Sequence, residues 1–255
     1  MKVKQIFFNN SLRNFSYMIT FDDGAIFCID PFNAKEVIDY LGSTKIKGII
    51  NTHDHCDHYS GNDELNKQNE GAIYAHPNAQ IPSKTIGLED NAVIYSCNEW
   101  ELKAYYTPGH TMTHIALGLL KNAKMHALFT GDCFFNAGVG NCHNGGNPEV
   151  LYQTISDFFQ NLSDDVLIYP GHEYLKRNLE FTLSVEKNNQ EAKDFLNKIS
   201  KIDSNSFFFV NSMKKEKEIN SFLRLKNPEI QKNLQLDGAS DKTIFIKLRE
   251  LRNKW

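Results

Sequence analysis

Three histidines and two aspartates fall within six residues, His53, Asp54, His55, Asp57 and His58, in the run Asn51-Thr52-His53-Asp54-His55-Cys56-Asp57-His58-Tyr59-Ser60-Gly61. Neutral imidazole and carboxylate are the donors that zinc and similar divalent metals take. A single H-x-H pair is ordinary in a polar loop. H-x-H-x-D-H, with a strand before it and a glycine after it, is a metal-binding pattern. Three further stretches bring the same residue types: Thr107-Pro108-Gly109-His110-Thr111, His126-Ala127-Leu128-Phe129-Thr130-Gly131-Asp132, and Pro170-Gly171-His172-Glu173-Tyr174. Each places His110, Asp132 or His172 straight after a strand-like run, behind a glycine that permits a tight turn. Alone, each reads as an ordinary turn. Together, at successive strand ends, they read as one metal site.

The elements that must position these groups follow from hydrophobic patterning. Val3 to Phe8, Phe15 to Thr20 and Gly24 to Ile29 read as strands, with a turn at Asp22-Asp23-Gly24. Asn33 is placed to cap a helix running to Leu41. Lys47 to Ile50 reads as a short buried strand, so the histidines begin where a strand gives way to a loop, which can turn several side chains to one point. Asn62 to Gln68 reads as a helix start. Ala72 to Tyr74, Val93 to Tyr95, Leu102 to Tyr106 and Asp165 to Tyr169 read as strands. Pro148 to Leu162 is apolar at helical spacing, with Pro148 suited to a first turn. After Tyr174 the composition shifts to Lys, Glu and Leu, and Leu175 to Val185, Glu191 to Ile202 and Thr243 to Leu251 read as helices. The run Lys214-Lys215-Glu216-Lys217-Glu218 reads as a solvated loop or helix end. Sheets packed on each other with helices outside are expected.

The 255 residues suffice for one large domain with a smaller appendage. A net charge of −3 provides no basic field to hold nucleic acid, so no nucleic-acid partner is expected. No apolar run approaches the ~20 residues of a membrane span, and the first residues lack a signal-peptide core. The five cysteines are odd in number and scattered, unlike a disulfide framework, which implies a reduced, cytoplasmic protein.

The H-x-H-x-D-H string resembles the signature of the metallo-β-lactamase superfamily. The resemblance implies a four-layer αββα sandwich, which periodicity does not give, followed by a C-terminal helical domain. The domains would be residues 1–174, catalytic, and 175–255, substrate-binding. It also assigns ligands. His53, His55 and His110 would hold one divalent ion, Asp57, His58 and His172 a second, and Asp132 would bridge them. Zinc is the first expectation, with iron and manganese also compatible. Two divalent ions facing two ligand aspartates leave residual positive charge. That favours a metal-bridging hydroxide as nucleophile, because bound metal lowers the pKa of water to ~7. Cys56 alternates away from the ligands. Asp54 is expected to hold a ligand imidazole or cap the loop, and His114 to be supporting or structural.

The C-terminal part narrows the choice. Pro170-Gly171-His172-Glu173-Tyr174 running into Asn178-Leu179-Glu180-Phe181, together with Asn14-Phe15-Ser16-Tyr17 and Ile29-Asp30-Pro31, resembles glyoxalase II, the hydroxyacylglutathione hydrolases. Asn220-Ser221-Phe222-Leu223-Arg224 resembles that family's N-P-F-[LM]-R segment, with Ser221 in place of proline. The resemblance implies hydrolysis of S-D-lactoylglutathione, or a related 2-hydroxyacyl thioester, to D-lactate and free thiol in methylglyoxal detoxification. Tyr174, Arg249 and Arg252 would contact the glutathione, and a monomer is expected. One departure stands out. Asn141 occupies the position of the family's basic residue and His143 that of its aromatic one. The alternatives are a mononuclear iron persulfide dioxygenase, another thioesterase or hydrolase on this fold, and a metal-binding scaffold without activity. A β-lactamase role is disfavoured by the missing export signal, and an RNA nuclease role by the length.

Overall fold

The computed structural model describes residues 1–69 and 71–255. Its chain divides into two compact units. The first comprises Met1–Thr107, Thr113–Gly131 and Pro170–His172; the second comprises Pro108–Met112, Asp132–Tyr169 and Glu173–Trp255.

The first unit holds a six-stranded mixed sheet. Lys2–Phe7, Phe15–Thr20 and Ile26–Ile29 pair antiparallel in chain order. Gly48–Ile50, Ala72–Ala75 and Ile86–Gly87 then extend the sheet in parallel. Ile26–Ile29 and Gly48–Ile50 are buried along their whole length, as parallel strands covered on both faces must be. Their register sets Ile29 beside Ile50, so both chains leave the sheet together, one into Asp30 and the other into Asn51-Thr52-His53. One face of the sheet carries the helices Ala34–Leu41 and Asn62–Asn69, packed through Val37, Leu41 and Leu65 onto Met18, Cys28, Ile49 and Ile73. Asn33 caps the first helix as expected, its side chain accepting from the Lys35 N–H. A second sheet contributes Val93–Cys97, Trp100–Tyr106, Ile115–Lys121 and Lys124–Gly131 to this unit as an antiparallel meander. Aromatic pairs join the two sheets, Tyr17 with Phe129 and Phe27 with Tyr95, their ring centroids 5.1 and 5.2 Å apart. Ile115–Lys121 is a strand that the sequence reading did not place.

The second unit is mainly helical. Pro148–Asp157 has Pro148 in its first turn and Asn147 as cap, and it ends earlier than the apolar spacing implied, with a 3-10 turn over Phe159–Asn161. It packs on Asp241–Arg252, with Tyr152 against Phe245. Leu175–Val185 and Gln190–Ile199 pack together through Leu179, Leu183, Ala192 and Leu196. The charged run expected to be solvated is instead the helix Met213–Ile219, with Met213, Glu216 and Ile219 buried on one face. Glu216 accepts from the Ala137 N–H at 2.7 Å, from Asn211 Nδ2 at 2.7 Å and from Asn220 Nδ2 at 3.3 Å. Burial pushes its pKa up to about 7 against these donors. Phe134–Phe135 and Gly138–Val139 form a two-stranded hairpin turning through Ala137, whose φ is +58°. Among the described residues no helix is long and apolar enough to cross a membrane.

Candidate metal centre

The first unit gathers five of the expected ligands where its strands end. Asp57 and His58 lie on the short helix Cys56–Tyr59, which starts three residues after His53 turns out of the strand end. His172 follows Leu167–Pro170 and is held by a bridge to Asn14. Asp57, His58 and His172 present ligand atoms within 4.8 Å of one another. His58 Nε2 faces His172 Nε2 at 3.2 Å, and Asp57 Oδ2 lies 3.5 Å from each. His53 Nε2 faces His55 Nδ1 at 3.0 Å.

The opposite ring nitrogens fix the tautomers. His58 Nδ1 donates to Asp30 Oδ2 at 2.9 Å, and His172 Nδ1 donates to the Leu12 carbonyl at 2.8 Å. Both acceptors lack a proton, so Nδ1 carries the hydrogen in each ring, and in the neutral ring Nε2 then carries a lone pair. Thr52 Oγ1 gives its proton to Asp30 Oδ2 at 2.7 Å and accepts from His53 Nδ1 at 3.0 Å. Lone pairs directed at each other at about 3 Å repel unless a cation lies between them. Nitrogen and carboxylate donors in this arrangement fit a divalent metal.

Asp30 is the residue whose role sequence reasoning missed, since it figured only within the stretch Ile29-Asp30-Pro31 that carries the family resemblance. It is 3% exposed and sits at φ +49°, uncommon for a residue with a side chain. Its carboxylate accepts from the Thr52 N–H at 2.8 Å, from Thr52 Oγ1 and from His58 Nδ1, which holds it in that conformation. The signal that would have found it is the pair of parallel strands whose ends lie side by side. Asn14 also acts here, donating from Nδ2 to Asp57 Oδ2 at 2.9 Å. Asp54 takes Thr113 Oγ1 at 2.8 Å and the Gln80 N–H at 2.9 Å, so it secures loops rather than an imidazole. His114 is buried, stacks on His53 and bonds Thr107 Oγ1 through Nδ1, a supporting role. Cys56 is exposed. Gly131, at φ +47°, leaves no room for a side chain between Thr52 Oγ1 and His114 Nε2.

The second unit holds the other two expected ligands and the residues expected to meet the substrate. His110 Nε2 lies 3.6 Å from Asp132 Oδ2, and His110 Nδ1 donates to the Asn141 carbonyl at 2.7 Å, leaving Nε2 to face the carboxylate. Asn141 and His143 are exposed, the Asn141 side chain accepting from the His143 N–H. Tyr174 packs its ring against Phe135. Arg252 donates to Asn178 Oδ1 at 3.1 Å. Arg249 is not at a solvated helix end: it is 5% exposed and donates to the carbonyls of Val139 and Gly140.

Known proteins resemble this chain along its length. Residues 12–172 match the family model described as Metallo-beta-lactamase superfamily, and residues 173–255 match Hydroxyacylglutathione hydrolase C-terminus. A hydroxyacylglutathione hydrolase of Nitrosococcus oceani is 41% identical, and one of Polaromonas sp. 38% identical, each over the whole of both chains. The solved structure of ETHE1 from Myxococcus xanthus superposes with a TM-score of 0.68 at 20% identity, covering 98% of this chain and 90% of that one, a likeness of fold. The fold is therefore the α/β metallo-β-lactamase fold with a helical C-terminal part, as expected. The chain belongs to the metallo-β-lactamase superfamily and, within it, to the hydroxyacylglutathione hydrolase family.

Proposed function

We propose that this chain is a metal-dependent thioester hydrolase of the glyoxalase II kind. It cleaves S-D-lactoylglutathione, or a related 2-hydroxyacyl thioester, to D-lactate and the free thiol, and so removes methylglyoxal-derived adducts in the cytoplasm as a monomer. One observation carries the reading. Lone-pair nitrogens of His58 and His172 converge with the Asp57 carboxylate in a chain that matches hydroxyacylglutathione hydrolases from end to end.

His53, His55 and His110 would hold one divalent ion, Asp57, His58 and His172 a second, and Asp132 both; zinc, iron and manganese all suit these donors. When bound, the ions make hydroxide available near neutral pH and polarise the thioester carbonyl. The chain's own residues prepare for this. Asp30, Thr52 and the carbonyls of Leu12 and Asn141 hold the protons of four imidazoles on Nδ1, so that each Nε2 keeps its lone pair for a metal. Asn14 steadies Asp57. Tyr174, Arg249, Arg252, Asn141 and His143 belong to residues 132–255 and would receive the thiol half, with residues 1–174 as the catalytic domain and 175–255 as the substrate-binding domain. A thiol of pKa about 8.5 departs as thiolate, so the leaving group asks little of a general acid.

The test is a panel of thioesters assayed on the full chain, with metal content measured on the same sample. Turnover of the glutathione thioester with about two metals per chain is expected. Oxygen uptake with glutathione persulfide and no thioester cleavage would replace the reading with the dioxygenase. Two bound metals with neither reaction would leave a metal-binding scaffold.

A further inference from the structure

A buried guanidinium needs acceptors, and Arg249 finds them in the main chain. Its Nη1 donates to the carbonyls of Val139 at 2.7 Å and Gly140 at 2.9 Å, and its Nε donates to Asn253 Oδ1 at 3.0 Å. Its charged plane lies 5.5 Å from the centre of the Phe222 ring. Burial, and then the neighbouring Arg252, lower its pKa to about 10, so it stays charged at neutral pH.

The next carbonyl along the chain, that of Asn141, is the one that accepts from His110 Nδ1. Three successive carbonyls are thus engaged, two by Arg249 and the third by His110. Gly140 is pressed against the same residues. A β-carbon there would collide with the Asp132 carbonyl oxygen and lie 2.9 Å from His110 Nδ1. The preceding residues are held in the same way by side chains of the helical segment. Asn178 Nδ2 donates to the Asn136 carbonyl at 2.9 Å, Glu216 accepts from the Ala137 N–H, and Asn220 Nδ2 donates to the Gly138 carbonyl at 3.2 Å. A carbonyl orients an imidazole only as firmly as its own peptide is held. Deleting Arg249 would strand two buried carbonyls and free the peptide that sets the His110 ring.

We infer that Arg249 is a positioning residue for His110, fixing through the Val139–Asn141 main chain the tautomer and aim of that imidazole. The inference rests on the assignment of His110 as a metal ligand. It gives Arg249 a duty besides meeting a substrate carboxylate, and the two duties separate by measurement.

Arg249→Met and Arg249→Lys are prepared as full chains, loaded with zinc alone and titrated with a competing chelator; kcat and KM are then measured with the glutathione thioester. For Arg249→Met, affinity for one of the two zinc ions should drop by about 10–100-fold, the loss typical when a ligand's orienting partner is removed. With zinc held saturating, any rise in KM reports the substrate contact, so the zinc affinity alone decides the positioning role. Arg249→Lys keeps the charge but not the planar fork, and should fall between. Arg252→Met, which touches no carbonyl of this loop, should leave zinc affinity unchanged. Wild-type zinc affinity in Arg249→Met with KM raised about tenfold would overturn the inference and make Arg249 a substrate anchor alone. If Arg249→Met does not fold, Arg249→Lys decides by the same criterion, wild-type zinc affinity again overturning it. Altered zinc binding in a protein that cleaves no thioester would sustain the positioning role and refute the proposed reaction.

Discussion

His58 and His110 end in the same tautomer by different means. At His58 the orienting acceptor is a side chain, Asp30, which also anchors Thr52 and through it His53. At His110 the acceptor is a main-chain carbonyl in a loop whose shape depends on Arg249, which reaches it from 110 residues further along the chain. A side-chain acceptor can be deleted outright. A carbonyl can only be displaced, and only by releasing whatever holds its peptide. The first region should therefore fail sharply when one residue is changed, and the second should fail through residues remote from the ligand.

The largest effect should come from the residue assigned to both ions. Asp132→Ala should lose at least one metal per chain and more than about a hundredfold in kcat, since even the loss of an orienting partner costs about 10–100-fold. The check is metal analysis and turnover on one preparation. Two metals retained with near-normal turnover would end the assignment of a shared ligand.

Next in size is the side-chain acceptor. Asp30→Ala removes the partner of His58 Nδ1 and of Thr52 together and leaves buried donors without acceptors. Zinc affinity should fall by about 10–100-fold, and stability to urea by roughly 3 kcal/mol or more, at about 1–3 for each of three stranded donors. Asp30→Asn should recover part of both, because its carbonyl oxygen can still accept one bond. Equal losses in Asp30→Asn and Asp30→Ala would mean that the charge, not the hydrogen bonding, is what matters at this position.

The same contrast explains what could be read in the sequence. Four of the five ligands of the first region crowd into H-x-H-x-D-H at one strand end, and the apolar run before it located that strand. Asp30 escaped notice because its role depends on Ile29 lying in register beside Ile50, a parallel pairing that no local pattern announces. Glu216 was hidden by its own neighbours. Four flanking charges made the run look solvated, although Met213, Glu216 and Ile219 recur at helical spacing and share the buried face. Arg249 could be placed on a helix, but its carbonyl partners lie in a hairpin turned through the left-handed Ala137, and nothing in the last helix names them.

A smaller effect is expected where the second region meets solvent. Asn141 is exposed and neutral at a position where the family resemblance implies a cation, while its carbonyl is occupied by His110. Asn141→Arg changes the side chain and leaves that carbonyl in place. KM for a glutathione thioester should fall by about tenfold or more, the worth of one charge-assisted hydrogen bond, with kcat and zinc content little changed. Loss of zinc in this variant would show that the loop cannot accept a side-chain change without moving His110. A wild type that prefers a smaller thiol would mark Asn141 and His143 as signs of a different substrate.

The smallest effect tests how far the second region depends on backbone shape alone. Ser221 opens a 3-10 turn over Ser221–Leu223; it is fully buried, and its hydroxyl makes no hydrogen bond among the described residues. The family's proline fits what is already there. Asn220 has φ −92° and ψ 108°, the extended geometry that a residue before proline requires. A first-turn position has no need of its N–H within the turn. Ser221→Pro removes a buried hydroxyl without a partner and restricts the unfolded chain, so stability should rise by about 0.5–1 kcal/mol. Asn220 would keep its bond to the Gly138 carbonyl, leaving the hairpin, zinc content and turnover as in the wild type. Urea unfolding measures the change. A loss of stability would mean that the Ser221 N–H is in use. A gain accompanied by altered zinc affinity would show that the turn and His110 are coupled through the hairpin, extending the reach of the backbone-held region beyond Arg249.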